Sequence, residues 1–162
     1  MAFLGFAQVD RFGNINSTRF GPYITGSGGS VDISSSAKKI VYCGSFAVKS
    51  NQEIGPDGIR VTGRGKAKKF VAQVEQVSFS GKAALARNQV VYYVTERAVF
   101  SLTEEGVTLI EIAPGIDLQS DVLDMMEFAP VVSPDLKTID PVVYHDEKLG
   151  LNERFSRYRQ EA

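Results

Sequence analysis

The chain has 162 residues, of which 43% are hydrophobic and 23% charged, with a formal net charge of −1. This composition is typical of one folded domain, or part of a larger one, and the near-neutral charge gives no electrostatic drive toward nucleic acid or a membrane surface. One cysteine and one histidine exclude an internal disulfide and a multi-cysteine or multi-histidine metal site, so we expect no metal and a cytoplasmic location.

The first predicted element is a β-hairpin at the start of the chain. Residues 1–9 are largely apolar, Asp10–Gly13 is typical of a turn, and Gly13–Asn16 is a candidate return strand. The apolar start lacks a basic segment and no stretch reaches about 18 apolar residues, so we expect neither a signal peptide nor a membrane span. Because a soluble domain rarely opens directly on a core strand, we expect that Met1 is not the natural N-terminus.

A glycine-rich turn at residues 26–29 precedes a predicted short helix and the buried strand Ile40–Cys43. Glycine admits positive φ and close approach to main-chain N–H groups, and Ser30 or Asp32 is a candidate cap for the helix. Two interpretations stay open at this point. The turn either binds an oxyanion or phosphate beside the helix start or is a tight connection without a ligand, and the spacing alone favours the connection because it matches neither GxGxxG nor a P-loop.

The middle of the chain combines turns, strands and a cluster of basic residues. Ser50–Gly58 is rich in turn residues, and Ile59–Thr62 and Phe70–Phe79 have the β-branched and apolar character of strands. The basic residues between and within these segments are Arg60, Arg64, Lys66, Lys68 and Lys69. They either meet phosphates of a ligand or form a solvated hairpin edge, where lysines discourage edge pairing.

The next segment predicts three strands in close succession. Gln89–Thr95 is strongly apolar, Ala98–Leu102 follows after a short turn, and Val107–Ile112 follows the turn at residues 104–106. Such spacing indicates an antiparallel meander or a sheet edge, which Pro114-Gly115 ends.

A helix is predicted from an Asp117 cap to Pro130, with Leu118, Val122, a methionine and Ala129 at helical spacing. We interpret the methionines as core filling rather than a partner surface. Pro130, Pro134 and Pro141 predict an extended loop, and a last short helix capped by Asn152 would place Leu151, Phe155 and Tyr158 on one face.

Several polar residues have competing interpretations. Glu96-Arg97 follows a buried strand and either pairs with a substrate or forms an ordinary loop ion pair, which is favoured. Cys43 is interpreted as a small buried hydrophobe, and His145 as a surface residue. Asp10 and Asn14 or Asn16 are interpreted as turn and cap residues.

Three ordered blocks resemble family I coenzyme A transferases, in particular the acetate/propionate type that acts on short-chain acyl-CoA. The blocks are AFLGFAQVDRFGNIN, GSGGSVDISSSAKKIVYCGSF and YYVTERAVFSLTEEGVTLIEIAPGIDLQSDVLDMMEFAP. The resemblance covers residues 1–130 and implies the C-terminal part of a catalytic domain, followed by a Pro-rich segment and helical tail at residues 131–162. The fold it implies is α/β: part of a three-layer α/β/α domain, with a mostly parallel sheet and an antiparallel extension.

The resemblance also implies a mechanism, a ping-pong transfer of CoA between carboxylates through a glutamyl-CoA thioester. The family's glutamate lies upstream of the segment seen here, so the isolated chain is expected to be inactive. The second glycine of the family's GG pair, which maps onto Gly29, supplies an oxyanion-hole N–H, and Gly28 matches the neighbouring substrate-binding position. Coenzyme A is then a substrate and no cofactor is held permanently.

The resemblance leaves other functions open. The expected partners are acyl-CoA, a short-chain carboxylate, the remaining part of the transferase and further copies in a homo-oligomer. The alternatives are an acyl-CoA hydrolase or isomerase on the same fold and a non-catalytic CoA-binding or assembly module, because a fold alone does not fix function.

Overall fold

The computed structural model describes residues 1–145 and 148–150. Its strands in chain order are β1 (Ala2–Gly5), β2 (Gln8–Val9), β3 (Ile15–Asn16), β4 (Arg19–Phe20), β5 (Tyr23–Ile24), β6 (Lys39–Cys43), β7 (Ala47–Val48), β8 (Asn51–Gly55), β9 (Gly58–Gly63), β10 (Ala67–Lys68), β11 (Val90–Val94), β12 (Ala98–Thr103), β13 (Gly106–Ile112) and β14 (Val131–Thr138). Its α-helices are α1 (Ser30–Ser36) and α2 (Gly81–Ala86).

A six-stranded mixed sheet organises the fold, in the order β1-β6-β11-β12-β13-β14. β1, β6 and β11 run parallel, β12 and β13 continue the sheet antiparallel, and β14 pairs parallel with β13. The mixed α/β architecture, with its antiparallel extension, confirms the expected fold class. The antiparallel run β11-β12-β13 is the predicted meander, and β2–β3 is the predicted N-terminal hairpin.

One face of this sheet carries the core and both α-helices. Cross-strand neighbours Tyr42 and Tyr93 are buried and stack at 6.0 Å between ring centroids. Ala84 of α2 belongs to the same apolar cluster, and Ser34 of α1 is buried and hydrogen-bonded to Tyr42. On the opposite face the side chain of Phe3 is 69% exposed, so among the described residues the sheet has a helical layer on one side.

The segment Phe70–Phe79 is not the strand that its composition predicted. Only its ends form single bridges, Phe70 to Val9 and Phe79 to Ile15, and the residues between them bend. The apolar side chains of this segment pack into the core at separate points, because the chain crosses the β2–β3 hairpin instead of pairing along it.

The segment after Asp117 differs from the predicted regular helix. Asp117 does cap it, accepting a hydrogen bond from the Ser120 N–H at 2.7 Å, but one π-helical turn, Leu118–Val122, gives way to a 3₁₀ turn, Leu123–Met125. Met126 is buried, which agrees with core filling.

The proline-rich segment was predicted as an extended loop, and this is wrong for residues 131–138, which form the edge strand β14, and for Pro141–Tyr144, which form a 3₁₀ helix. The register with β13 breaks between Val132 and Lys137, and Pro134 falls in that break, where no ladder hydrogen bond is needed.

A domain division at residue 130 stays a prediction. The predicted helix after Asn152 lies outside the described residues. Within the described part of the chain, no helix is long and apolar enough to cross a membrane.

A packing test follows from the contact between α2 and the N-terminal hairpin. A Cβ at Gly81 would lie 2.0 Å from the Phe12 carbonyl oxygen. We therefore expect Gly81→Ala to lower the free energy of unfolding by about 2 kcal/mol, measured by urea denaturation. The matched control is Gly55→Ala, since a Cβ at Gly55 meets nothing within 4 Å. Equal destabilisation by both changes would contradict this packing.

Candidate functional site

The glycine turn has the left-handed backbone that its sequence predicted. Gly26 and Gly28 have φ values of +75° and +51°, and Gly29 occupies the N-cap position of α1 with φ −83° and ψ 0°. No side chain caps the helix, so the predicted cap by Ser30 or Asp32 is wrong. The Ser30 side chain instead donates to the Ser27 carbonyl at 2.7 Å, because the turn folds back on itself.

The Gly28–Gly29 backbone is open to an approaching group. A Cβ at Gly28 would meet nothing within 4 Å, and one at Gly29 would meet only the Cδ1 of Ile33, at 3.7 Å. The Gly29 carbonyl accepts the first helical hydrogen bond, from Ile33, whereas its N–H finds no acceptor among the described residues. A free main-chain N–H at an exposed helix start can receive a hydrogen bond acceptor from outside this chain.

The topology places this turn at the carboxyl edge of the parallel strands. Because β1 and β6 run parallel, the chain leaves β1 at its carboxyl end and returns to the amino end of β6 through α1. The first residue of α1 therefore points toward the edge where β1, β6 and β11 end. Ligands of open α/β sheets characteristically bind at this edge.

The basic residues predicted as one cluster separate in the structure. Arg60 on β9 is exposed and paired with Glu53 of the facing strand β8, as a solvated hairpin edge would have it. Lys68 donates to the carbonyls of Asp124 and Met126, at 3.1 and 3.0 Å. Lys69 turns inward and is only 7% exposed. These residues therefore do not form a single phosphate-binding patch.

Lys69 was missed as an individual candidate, although it stands at the carboxyl edge. Its ammonium lies 4.3 Å from the centre of the Phe6 ring, next to Gly44, which follows β6. Burial lowers the pKa of Lys69, while the negative charge of Glu96 acts in the opposite direction. The sequence signal was the position of this lysine directly before the apolar pair Phe70-Val71, which pulls the backbone into the core.

Glu96 and Arg97 form an ion pair, but not at an exposed loop. The Arg97 side chain is fully buried, its Nε lies 3.5 Å from Glu96 Oε1, and its Nη1 donates to the Asp121 carbonyl at 3.0 Å. Burial lowers the pKa of Arg97, against the charges of Glu96 and Asp121. Glu96 Oε2 accepts from the Phe46 N–H at 2.9 Å. Because its side chain has no exposed surface, Arg97 does not contact a substrate in this structure.

The remaining single candidates have simple outcomes. Cys43 is exposed, so the prediction of a buried cysteine is wrong: it is the last residue of β6 and lies on the face opposite Tyr42. His145 is exposed as predicted. Asp10 is a turn residue, accepting from the N–H groups of Phe12 and Asn14 at 3.0 and 3.1 Å. Residues 1–145 and 148–150 contain no group of three or more His, Cys, Asp or Glu side chains arranged to hold a metal.

Comparison with known proteins adds evidence independent of this geometry. No family model matches the chain. The chain is 46% identical over 151 residues to the acetate CoA-transferase YdiF of Escherichia coli (strain K12), which covers 93% of this chain and 28% of that protein. It is 45% identical over 157 residues to the caffeate CoA-transferase of Acetobacterium woodii, covering 94% of this chain and 30% of the relative.

A solved structure agrees with the sequence relationship. The apoenzyme of the acyl-CoA transferase YdiF from Escherichia coli O157:H7 superposes with a TM-score of 0.89 at 46% identity, over 91% of this chain and 29% of that one. The same enzyme has been solved as a thioester complex with CoA, with a TM-score of 0.88. The chain thus spans less than a third of the length of these relatives.

Proposed function

Because this chain is homologous to a segment of the family I CoA-transferases, we propose that it forms part of an enzyme moving CoA between a short-chain acyl-CoA and a carboxylate such as acetate. The observation that carries this proposal is the 46% identity to an acetate CoA-transferase over 93% of the chain. A thioester complex of such a relative with CoA supports CoA as a substrate rather than a permanent cofactor.

In the proposed mechanism a glutamate attacks the acyl-CoA thioester and then carries CoA as a glutamyl thioester. The family's glutamate lies before the segment that resembles this chain, so the remaining part of the transferase supplies it. Attack on the thioester carbonyl places negative charge on its oxygen, and a pre-positioned N–H donor lowers the energy of that state.

Within this mechanism we assign the oxyanion donor to the N–H of Gly29. Its N–H lacks an acceptor among the described residues, and its surroundings are open. Gly28, with its positive φ, orients the turn that presents this N–H. A cytoplasmic location and a homo-oligomer belong to the same proposal.

Trapping of the covalent intermediate tests the proposal. On incubation with acetyl-CoA, the full-length protein should gain the mass of a CoA thioester, whereas the 162-residue chain alone should gain none because it lacks the family's nucleophile. A CoA adduct on a glutamate of the 162-residue chain would contradict the assignment. Release of free acetate from the full-length protein, without CoA exchange or an adduct, would instead indicate a hydrolase.

A further inference from the structure

A buried group of charges at the carboxyl edge is not used by the proposed mechanism. It consists of Lys69, Glu96 and Arg97, with the rings of Phe6 and Phe46, and is called here the edge cluster. Lys69 lies over Phe6, Arg97 lies over Phe46 at 5.2 Å, and Glu96 interacts with both cations. Each cation is therefore covered by an aromatic face and shares a single carboxylate.

The edge cluster contains two cations, Lys69 and Arg97, but only one carboxylate, that of Glu96. Glu96 is engaged by Arg97 and by the Phe46 N–H. Arg97 leaves its Nε and Nη2 buried without hydrogen bonds, and no acceptor among the described residues is within hydrogen-bonding range of the Lys69 ammonium. Since buried charges are normally paired or hydrogen-bonded, this arrangement calls for an additional anion.

Lys69 is the member of the edge cluster that an anion can reach. The residue is 7% exposed, yet its Nζ is not among the fully enclosed atoms, which include Glu96 Oε1 and two nitrogens of Arg97. Gly44 lies directly against this ammonium, because a Cβ there would be 2.9 Å from the Lys69 Nζ and 3.0 Å from the Phe6 ring.

The surroundings of this ammonium restrict the chemistry of the anion. One recessed cation can neutralise one negative charge, and the neighbouring wall is the apolar ring of Phe6. Because Arg97 is fully buried, a multiply charged phosphate would reach a single cation of the edge cluster, whereas a monocarboxylate with a short apolar tail matches both the charge and the wall.

We propose that Lys69 binds the carboxylate of the short-chain acid substrate beside Gly44, with Phe6 contacting its apolar tail. The choice of an acid substrate rests on the proposed function, whereas the anion site itself rests on the edge cluster. Gly29 and Lys69 belong to the same edge of the sheet, so the acid site and the oxyanion donor would lie at one edge.

Acetate binding to the 162-residue chain tests this proposal without any CoA chemistry. The ammonium signals of the lysines can be followed by ¹H–¹⁵N NMR during titration with sodium acetate, and Lys69→Met identifies the Lys69 signal. We expect that signal to shift saturably with acetate. An equal shift with sodium chloride at the same ionic strength would overturn the proposal.

Gly44→Ala is the sharper variant because it retains the lysine charge while its added Cβ displaces the ammonium from its place beside Phe6. We expect it to weaken acetate binding at least tenfold, with an unchanged circular dichroism spectrum, while the exposed-lysine control Lys66→Met changes nothing. Propionate should bind more tightly than formate because its tail reaches Phe6. Unchanged acetate affinity in a folded Gly44→Ala variant would overturn the site.

The acetate titration, taken together with the search for a CoA adduct, separates this proposal from the proposed function. Acetate binding at Lys69 without a CoA adduct in the full-length protein would retain the site and reject CoA transfer. A CoA adduct together with no acetate response at Lys69 would reject the site alone. In the full-length protein, the Lys69 ammonium signal could instead shift when the glutamate nucleophile is removed by mutation and not when acetate is added. That result would identify the glutamate as the ligand of Lys69 and would overturn the assignment to the acid substrate.

Discussion

In the full-length protein, the proposed CoA-transfer mechanism predicts that Gly29→Pro slows formation of the CoA thioester by about a hundredfold or more. Proline has no backbone N–H, so the change removes the proposed oxyanion donor, and loss of one such donor typically costs about 3–4 kcal/mol of transition-state stabilisation. The φ of Gly29, −83°, is near that of proline, and its N–H makes no hydrogen bond within the described residues, so the ring removes no hydrogen bond of the fold.

The matched control for this prediction is Gly29→Ala, which keeps the N–H. A Cβ at this position meets only Ile33 Cδ1, at an ordinary contact distance of 3.7 Å. We therefore expect the alanine variant to retain a rate within a few-fold of the parent, measured by rapid-quench detection of the thioester. A folded proline variant with an unchanged rate would remove Gly29 from the oxyanion hole. Equal losses in both variants would indicate crowding at the turn instead.

The parts of the fold predicted from sequence are those with strong local patterns. The apolar, β-branched runs that become β6, β11, β12 and β13 follow one another in the order of the sheet. The glycines at 26 and 28 take positive φ, as a turn before a short helix requires. Here local preference and tertiary packing favour the same structure.

The predictions that failed concern features set by neighbours distant in sequence. Phe70 and Phe79 each pair at a single point of the N-terminal hairpin, so their apolar segment never forms a strand. Pro134 is tolerated in β14 because this strand lies at the sheet edge and its register breaks there. Local composition carries no information about either partner.

The candidate site divides in the same way. The glycine turn is visible in the sequence as a motif, and the proposal that it supplies an oxyanion donor comes from the family resemblance. The edge cluster could not be predicted, because the sequence pattern places Lys69 in a run of basic residues and Arg97 in a loop between two strands. Their burial depends on the aromatic rings of Phe6 and Phe46, which fold over them from other segments.

The largest stability effect is expected at Arg97, whose guanidinium ties two segments together. It is fully buried between Glu96, next to the carboxyl end of β11, and the Asp121 carbonyl in the π-helical turn. Arg97→Met retains much of the volume but leaves the Glu96 carboxylate, only 15% exposed, without its buried partner. Breaking a buried pair from one side typically costs about 3–5 kcal/mol, and we expect a loss of that order in urea unfolding.

Two further variants make this prediction specific to the buried pair. Arg60→Met removes an arginine that is also paired with a glutamate, but its side chain is 76% exposed, so the free energy of unfolding should hardly change. The double variant Glu96→Gln/Arg97→Met removes both charges of the pair and should be more stable than Arg97→Met alone. Glu96 Oε1 is fully enclosed, whereas the one charge that then remains in the edge cluster, the Lys69 ammonium, is not. If the double variant is no more stable than the single one, the loss comes from packing against Phe46 and the bond to Asp121. The ion pair would then contribute little to folding.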